Sequence, residues 1–94
     1  MTRIAIVTGA TGGIGNEFVR EIRKLDDIDE VWAVGRNKDK LDALRQIDKK
    51  VRPVEADLST DGISVIAELI KNDNPDIRIL VNNAGIGYMR SEER

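Results

Sequence analysis

Cysteine and histidine are both missing from the 94 residues of this chain. Their absence excludes disulfide staples, thiol nucleophiles, imidazole bases, a Ser-His-Asp triad and zinc sites built from the usual ligands. A chain without cysteine also fits a reducing compartment. Aromatic residues are scarce at 3%, namely Phe18, Trp32 and Tyr88. The core must therefore come from Ile, Val, Leu and Ala, the side chains of buried parallel strands. No apolar run is long enough to span a bilayer, and no charged-then-apolar leader precedes the first strand. A cytoplasmic protein with no membrane partner is the expectation. The formal net charge of −2 supplies no long-range pull toward polyanions. With no basic stripe interleaved with aromatics, a nucleic-acid partner is not expected.

What is present is ordinary globular material. Apolar residues make up 40% of the chain and charged residues 34%, which separates it from disordered tails. The length suits one small domain, with no linker or internal repeat dividing it. Strand-like and helix-like runs alternate strictly. Strands are expected over Arg3 to Thr8, Glu30 to Val34, Val51 to Ala56 and Ile77 to Asn82. Helices are expected over Gly13 to Leu25, Lys38 to Lys49 and Asp61 to Lys71. Their inward faces read as Phe18, Val19, Ile22 and Leu25; as Leu41, Leu44 and Ile47; and as Ile63, Ile66, Ala67 and Ile70. Asn37 is placed to cap the second helix. Pro53 cannot donate to a ladder, so the third strand is expected to lie at an edge or to expose that position. Alternation of this kind predicts an α/β fold, a Rossmann-like parallel sheet of four strands with three crossover helices. The order is 3-2-1-4 if the glycine turn sits at the switch point.

That turn, Thr8-Gly9-Ala10-Thr11-Gly12-Gly13-Ile14-Gly15, joins the first strand to the first helix. A helix start offers N–H groups without intrahelical partners and a partial positive charge. A pyrophosphate fits there if no side chain intrudes. Gly9 serves the sharp turn, Gly13 the close approach of a ligand, and Gly15 the packing of helix on strand. Taken alone, the segment reads equally as a tight turn. No Gly-Lys-[Ser/Thr] closes it, which argues against a P-loop ATPase.

Three more elements fall at C-terminal ends of strands, where open α/β sheets bind ligands. They are Gly35-Arg36, Asp57-Leu58 and Asn82-Asn83-Ala84-Gly85. With the glycine loop, this ordered set resembles the short-chain dehydrogenase/reductase family over nearly the whole chain. Gly12-Gly13 also permits the glycine pattern of the extended epimerase-like branch, whereas Asn82 to Gly85 matches the classical branch. The resemblance implies a dinucleotide-binding domain over residues 1–94, incomplete relative to the family fold. It implies a pyrophosphate held by the backbone of Thr11, Gly12, Gly13, Ile14 and Gly15. It implies that Asp57 accepts a hydrogen bond from the adenine amino group beside the Leu58 N–H. It places Asn83, Ala84 and Gly85 along the adenosine ribose. Asp57 reads alternatively as a cap for the turn that follows it, and Asn82 as a support for the sheet.

An enzyme of this kind that prefers NAD places an acid at the end of the second strand. This chain has Gly35 followed by Arg36, and a guanidinium suits the 2′-phosphate of NADP. NADP(H) is the expected cofactor, with Lys38 adding charge. The other reading makes Arg36 a solvated loop residue and Asp39 the ribose acceptor. Hydride transfer in the family uses Tyr-x-x-x-Lys with a Ser. The only tyrosine here is Tyr88, and Glu92 stands four residues on, so no catalytic residue is assigned. The chain is expected to be an N-terminal cofactor-binding portion of an oxidoreductase acting on an alcohol or carbonyl substrate, inactive alone. The alternative is a non-catalytic dinucleotide-binding or strand-pairing module, forming a homo-oligomer through an open edge of the fourth strand.

Overall fold

The computed structural model describes residues 1–58 and 60–83. Its elements are β1 (Arg3–Thr8), α1 (Gly13–Ile22), β2 (Glu30–Gly35), α2 (Lys38–Ile47), β3 (Val51–Glu55), α3 (Gly62–Asp73) and β4 (Asp76–Asn82). The four strands form one parallel sheet in the order β3-β2-β1-β4. Both the order and the alternation are those expected from the sequence. Pro53 lies on β3, an edge strand, opposite Ala33 of β2.

Side chains on successive strand residues point to opposite faces, and the central strands bury both. On one face, Ala5, Val7, Val31 and Ala33 pack with Val19 and Ile22 of α1 and with Leu41 and Leu44 of α2. On the other, Ile4, Ile6, Trp32 and Val34 pack with Ile66, Leu69 and Ile70 of α3. The near-continuous apolar runs of β1 and β2 follow from this two-sided burial.

Two helix faces differ from expectation. The inward stripe of α3 is Ile66, Leu69 and Ile70, while Ile63 is 66% exposed and Ala67 faces out. The helix begins at Gly62, and its first turn sits against the turn after β3, ahead of the sheet face that the later turns cover. On α1 the buried stripe is Gly15, Val19 and Ile22, and Phe18 and Leu25 flank it half-exposed. Leu25 falls past the helix end, where Lys24 N and Leu25 N donate to carbonyls three residues back and tighten the chain out of helical phase.

Trp32 is fully buried, and its Nε1 donates to Glu30 Oε1 at 3.0 Å. The Arg52 guanidinium of β3 lies 4.9 Å from the Trp32 ring centroid and pairs with Asp73 at the end of α3. Strand, neighbouring strand and covering helix are thus joined around the one indole, which takes no part in the ligand-facing end of the sheet.

The opposite end of β1 is tied down by Asp29. Its carboxylate accepts from Arg3 N at 2.8 Å and from the Arg3 guanidinium at 3.0 and 3.1 Å. The side-chain and backbone hydrogen bonds from Arg3 lower the Asp29 pKa from 3.8 to about 2. A carboxylate whose folded pKa is depressed stabilises the fold above its unfolded pKa and loses that effect as pH falls through the folded one. Asp29→Asn is therefore expected to lower stability at neutral pH, with the two proteins converging as pH falls from 3.8 toward about 2. Urea unfolding across that range checks it, and a pH-independent gap would contradict it.

At Arg78 the pairing of β4 with β1 shifts register, so that Ile77 lies opposite Ile4 and Leu80 opposite Ile6. That shift sets both side chains on the α3 side of the sheet, where they remain 41% and 64% exposed. Among the described residues no strand pairs with the outer edge of β4.

Candidate functional site

The site begins where β1 runs out. Gly9 turns the chain with φ of 63°, a left-handed conformation that glycine adopts without a steric penalty. Ala10 N donates to Val34 O at 3.0 Å, and Gly12 N donates to Gly9 O at 3.2 Å. The loop is thereby closed on itself and fastened to β2. Gly12 is the N-cap of α1 in extended conformation, with no side-chain cap and no acidic residue in the first turn. The helix start consequently keeps its partial positive charge and N–H groups unscreened by the side chains of its own cap and first turn.

The glycines divide by what surrounds them. A Cβ on Gly13 would meet nothing within 4 Å, whereas one on Gly15 would lie 2.1 Å from Gly9 O. Gly13 thus leaves space on the outside of the cradle, and Gly15 lets helix and loop touch on the inside. Ile14, between them, turns its side chain outward at 63% exposure. The turn at Gly9 and the close packing at Gly15 are those expected of them, and Gly13 faces open space.

The second wall comes from β2 and the start of α2. Asn37 caps α2, its Oδ1 accepting from Lys40 N at 3.1 Å, as its place in the sequence suggests. Lys38 Nζ is 2.9 Å from Asp42 Oδ2, and that hydrogen bond raises the lysine pKa. This is an exposed pair within one helix turn, and Lys38 also lines the cleft that the walls enclose. Arg36 is exposed and, among the described residues, has no hydrogen-bond or ion-pair partner.

The third and fourth walls follow β3 and β4. The Asp57 carbonyl oxygen accepts from Thr60 N at 3.1 Å and from Gly62 N at 2.9 Å. The Asp57 carbonyl is thus the hub of the turn that leads into α3. Asn83 N donates to Thr8 Oγ1 at 2.8 Å, and its Nδ2 donates to Gly9 O at 3.4 Å. Thr8 Oγ1 in turn lies 3.3 Å from both Val81 O and Asn82 Oδ1. Asn82 therefore supports the sheet, and Asn83 holds the glycine loop to the end of β4.

These walls enclose one cleft of about 950 Å³ at the C-terminal ends of the strands. Of the residues singled out from the sequence, Gly9, Thr11, Gly12, Arg36, Asp57, Leu58 and Asn83 line it. Gly15 is buried beneath it, and Gly13 and Ile14 sit at the helix start beside it. Ala84, Gly85, Tyr88 and Glu92 lie outside the described residues. Two residues of the site escape a reading of the sequence. Thr8, buried, links β1, β4 and the loop; its place ahead of Gly9 is a usable signal. Gly62 underlies the Asp57 turn, and no spacing pattern points to it.

The strand order and the three crossover helices are those of a Rossmann-like parallel sheet. Residues 3–94 match the family model described as short chain dehydrogenase. The chain belongs to that family. Short-chain dehydrogenases bind nicotinamide dinucleotides, and the cradle with an empty Cβ direction at Gly13 suits such a ligand. Estradiol 17-beta-dehydrogenase 11 of Mus musculus is 32% identical over 88 residues, 90% of this chain and 30% of that protein. Very-long-chain 3-oxoacyl-CoA reductase of Homo sapiens is 36% identical over 88 residues, 89% of this chain and 28% of that protein. The carbonyl reductase Sniffer of D. melanogaster superposes with a TM-score of 0.71 at 25% identity, covering 100% of this chain and 40% of that structure. This short-chain dehydrogenase sequence thus spans less than a third of the curated relatives named. Among the described residues no Asp and Glu side chains are grouped to hold a metal ion, and no helix is long and apolar enough to cross a membrane.

Proposed function

We propose that this chain is the cofactor-holding portion of an NADP(H)-dependent oxidoreductase that interconverts an alcohol and a carbonyl compound. The observation that carries the reading is the pairing, across one cleft, of an uncapped α1 start with an Arg36 that has no partner among the described residues. The first suits the pyrophosphate, since unpaired N–H groups and the helix dipole both favour an anion. The second suits the 2′-phosphate, which a guanidinium grips through two N–H groups. In this reading Asp57 accepts from the adenine amino group, and Asn83 with Ala84 and Gly85 follows the adenosine ribose. The bound nicotinamide would supply the hydride. The residues of this chain orient the adenosine half and fix its phosphates, and none of them is assigned the proton transfer.

A fluorescence titration of NADPH with the purified chain tests this. A saturable change at sub-millimolar NADPH is expected, with weaker binding of NADH. No response up to millimolar NADPH would overturn the reading. It would favour the second one, a strand-pairing module without a ligand, which draws on Ile77 and Leu80 exposed along the β4 edge.

A further inference from the structure

The turn between β3 and α3 is built around one oxygen. The carbonyl of Asp57 receives Gly62 N at 2.9 Å and Thr60 N at 3.1 Å. The Thr60 hydroxyl lies 3.1 Å from the same oxygen, with Asp61 Oδ1 at 3.3 Å. The start of α3 has no side-chain fastening of the usual kind, because its N-cap, Asp61, makes no capping bond. Gly62, the first residue of the helix, is buried. A Cβ placed on it would stand 2.4 Å from Asp57 O, 2.5 Å from Asp57 C and 2.7 Å from Asp57 N. All three are backbone atoms, so no rotamer change relieves the overlap. The Gly62 φ is not in the left-handed region. The demand for glycine here is a demand for space, and the space is occupied by the backbone of Asp57, a residue that lines the cleft.

We infer that Gly62 is a positioning residue for the Asp57–Leu58 wall of the cleft. By letting the α3 start press directly on the Asp57 peptide, it fixes the depth at which that wall meets a bound base. The inference rests on the proposed reading of the cleft as an NADP(H) site with Asp57 facing the adenine amino group. A side chain at position 62 finds no room unless the Asp57 backbone and the start of α3 move apart. The contacts that Asp57 and Leu58 make are then lost, while the cradle at α1 and the Arg36 wall, carried on other elements, keep their places.

The test compares NADPH with its hypoxanthine analogue, in which a carbonyl oxygen replaces the adenine amino group and the adjacent ring nitrogen gains a proton, so the edge offered to Asp57 and Leu58 changes from donor and acceptor to acceptor and donor. The wild-type chain is expected to bind NADPH roughly tenfold more tightly, the usual scale for a hydrogen bond to a charged acceptor. Gly62→Ala should bring the NADPH affinity down to that of the analogue and leave the analogue's affinity little changed. A merely structural role would weaken both ligands together and leave their ratio as it was, and that result overturns the inference. Thr60→Val removes a hydroxyl from the same oxygen without adding bulk under the turn. It should shrink the ratio in the same direction by a smaller factor, and it decides the matter if Gly62→Ala does not fold by circular dichroism. An unchanged ratio in Thr60→Val then counts against the inference. If the wild-type chain binds neither ligand, the reading of the cleft fails and the inference falls with it. If it binds both and the variants leave the ratio intact, only the role of Gly62 is lost.

Discussion

Gly15→Ala is expected to destabilise the chain severely and to remove ligand binding, whereas Gly13→Ala, two residues away, should leave the fold intact. The added carbon at position 15 would sit 2.1 Å from Gly9 O, 2.8 Å from Gly9 C and 3.0 Å from Ala10 Cα. These are main-chain atoms of a loop with little freedom to retreat. Gly9 is already in the left-handed region, its oxygen accepts from Gly12 N and Asn83 Nδ2, and Ala10 N is bonded to β2. Relief requires α1 to lift off β1 and β2, which opens the core around Val19 and Ile22. Overpacking of this kind costs about 1–3 kcal/mol, and more where the backbone must move. Against a total stability of roughly 5–15 kcal/mol for a folded domain, that is a large share. The melting temperature should fall by roughly 10 °C or more, at about 4–8 °C per kcal/mol for a domain of this size. Gly13→Ala meets open space instead. It should melt within a few degrees of wild type yet bind NADPH poorly, because its methyl group would stand where the proposed reading puts the pyrophosphate. Thermal melts followed by circular dichroism, with NADPH titration of each variant, separate the two. A Gly15→Ala chain that melts like wild type would mean that the loop can yield at Gly9 and that α1 does not need the close approach.

The contrast between these two glycines also bears on what the sequence reveals and what it conceals. The strand order is legible because alternation and a glycine turn after the first strand leave few parallel topologies open. The edge position of β3 is legible because Pro53 cannot donate to a ladder. Residues whose roles depend on the local chain, such as Gly9 and the capping Asn37, are legible for the same reason. The inward face of α3 is not. The spacing of Ile63 allows it to face the sheet, but the sheet face is covered only from the next turn onward. Gly62 is hidden because its neighbour is the Asp57 peptide, brought under it by a turn whose path no residue pattern announces. Proximity alone assigns Lys38 to the ligand. In the structure Lys38 lines the cleft and also pairs with the carboxylate of Asp42, one helical turn on, a pairing that follows from the i,i+4 spacing.

Arg36, with no such partner among the described residues, leads to the second large effect. Arg36→Asp is expected to weaken NADPH binding about 100-fold or more, while NADH binding stays within a few-fold of wild type or improves. In the proposed reading, removing the guanidinium would delete charge-assisted hydrogen bonds to the 2′-phosphate, which alone would be worth roughly 10–100-fold. Installing a carboxylate adds repulsion against a dianionic group and supplies an acceptor for the ribose hydroxyl of NADH. Lys38 and Lys40 line the same cleft, but both stand on α2 and Lys38 is paired with Asp42, whereas Arg36 directly follows β2 and has no partner among the described residues. For the same reason Lys38→Ala should move the NADPH-to-NADH ratio far less than Arg36→Asp does. Arg36 is exposed, so its preference for NADPH should also shrink as salt rises and the Debye length falls from about 10 Å at 0.1 M to about 3 Å at 1 M. Titrations of both cofactors at low and high salt, with wild type and both variants, measure all of this. If Arg36→Asp weakens NADPH and NADH equally, or if salt leaves the ratio untouched, the guanidinium is a solvated loop residue. The selection between cofactors then passes to Asp39, which lines the same cleft from the first turn of α2.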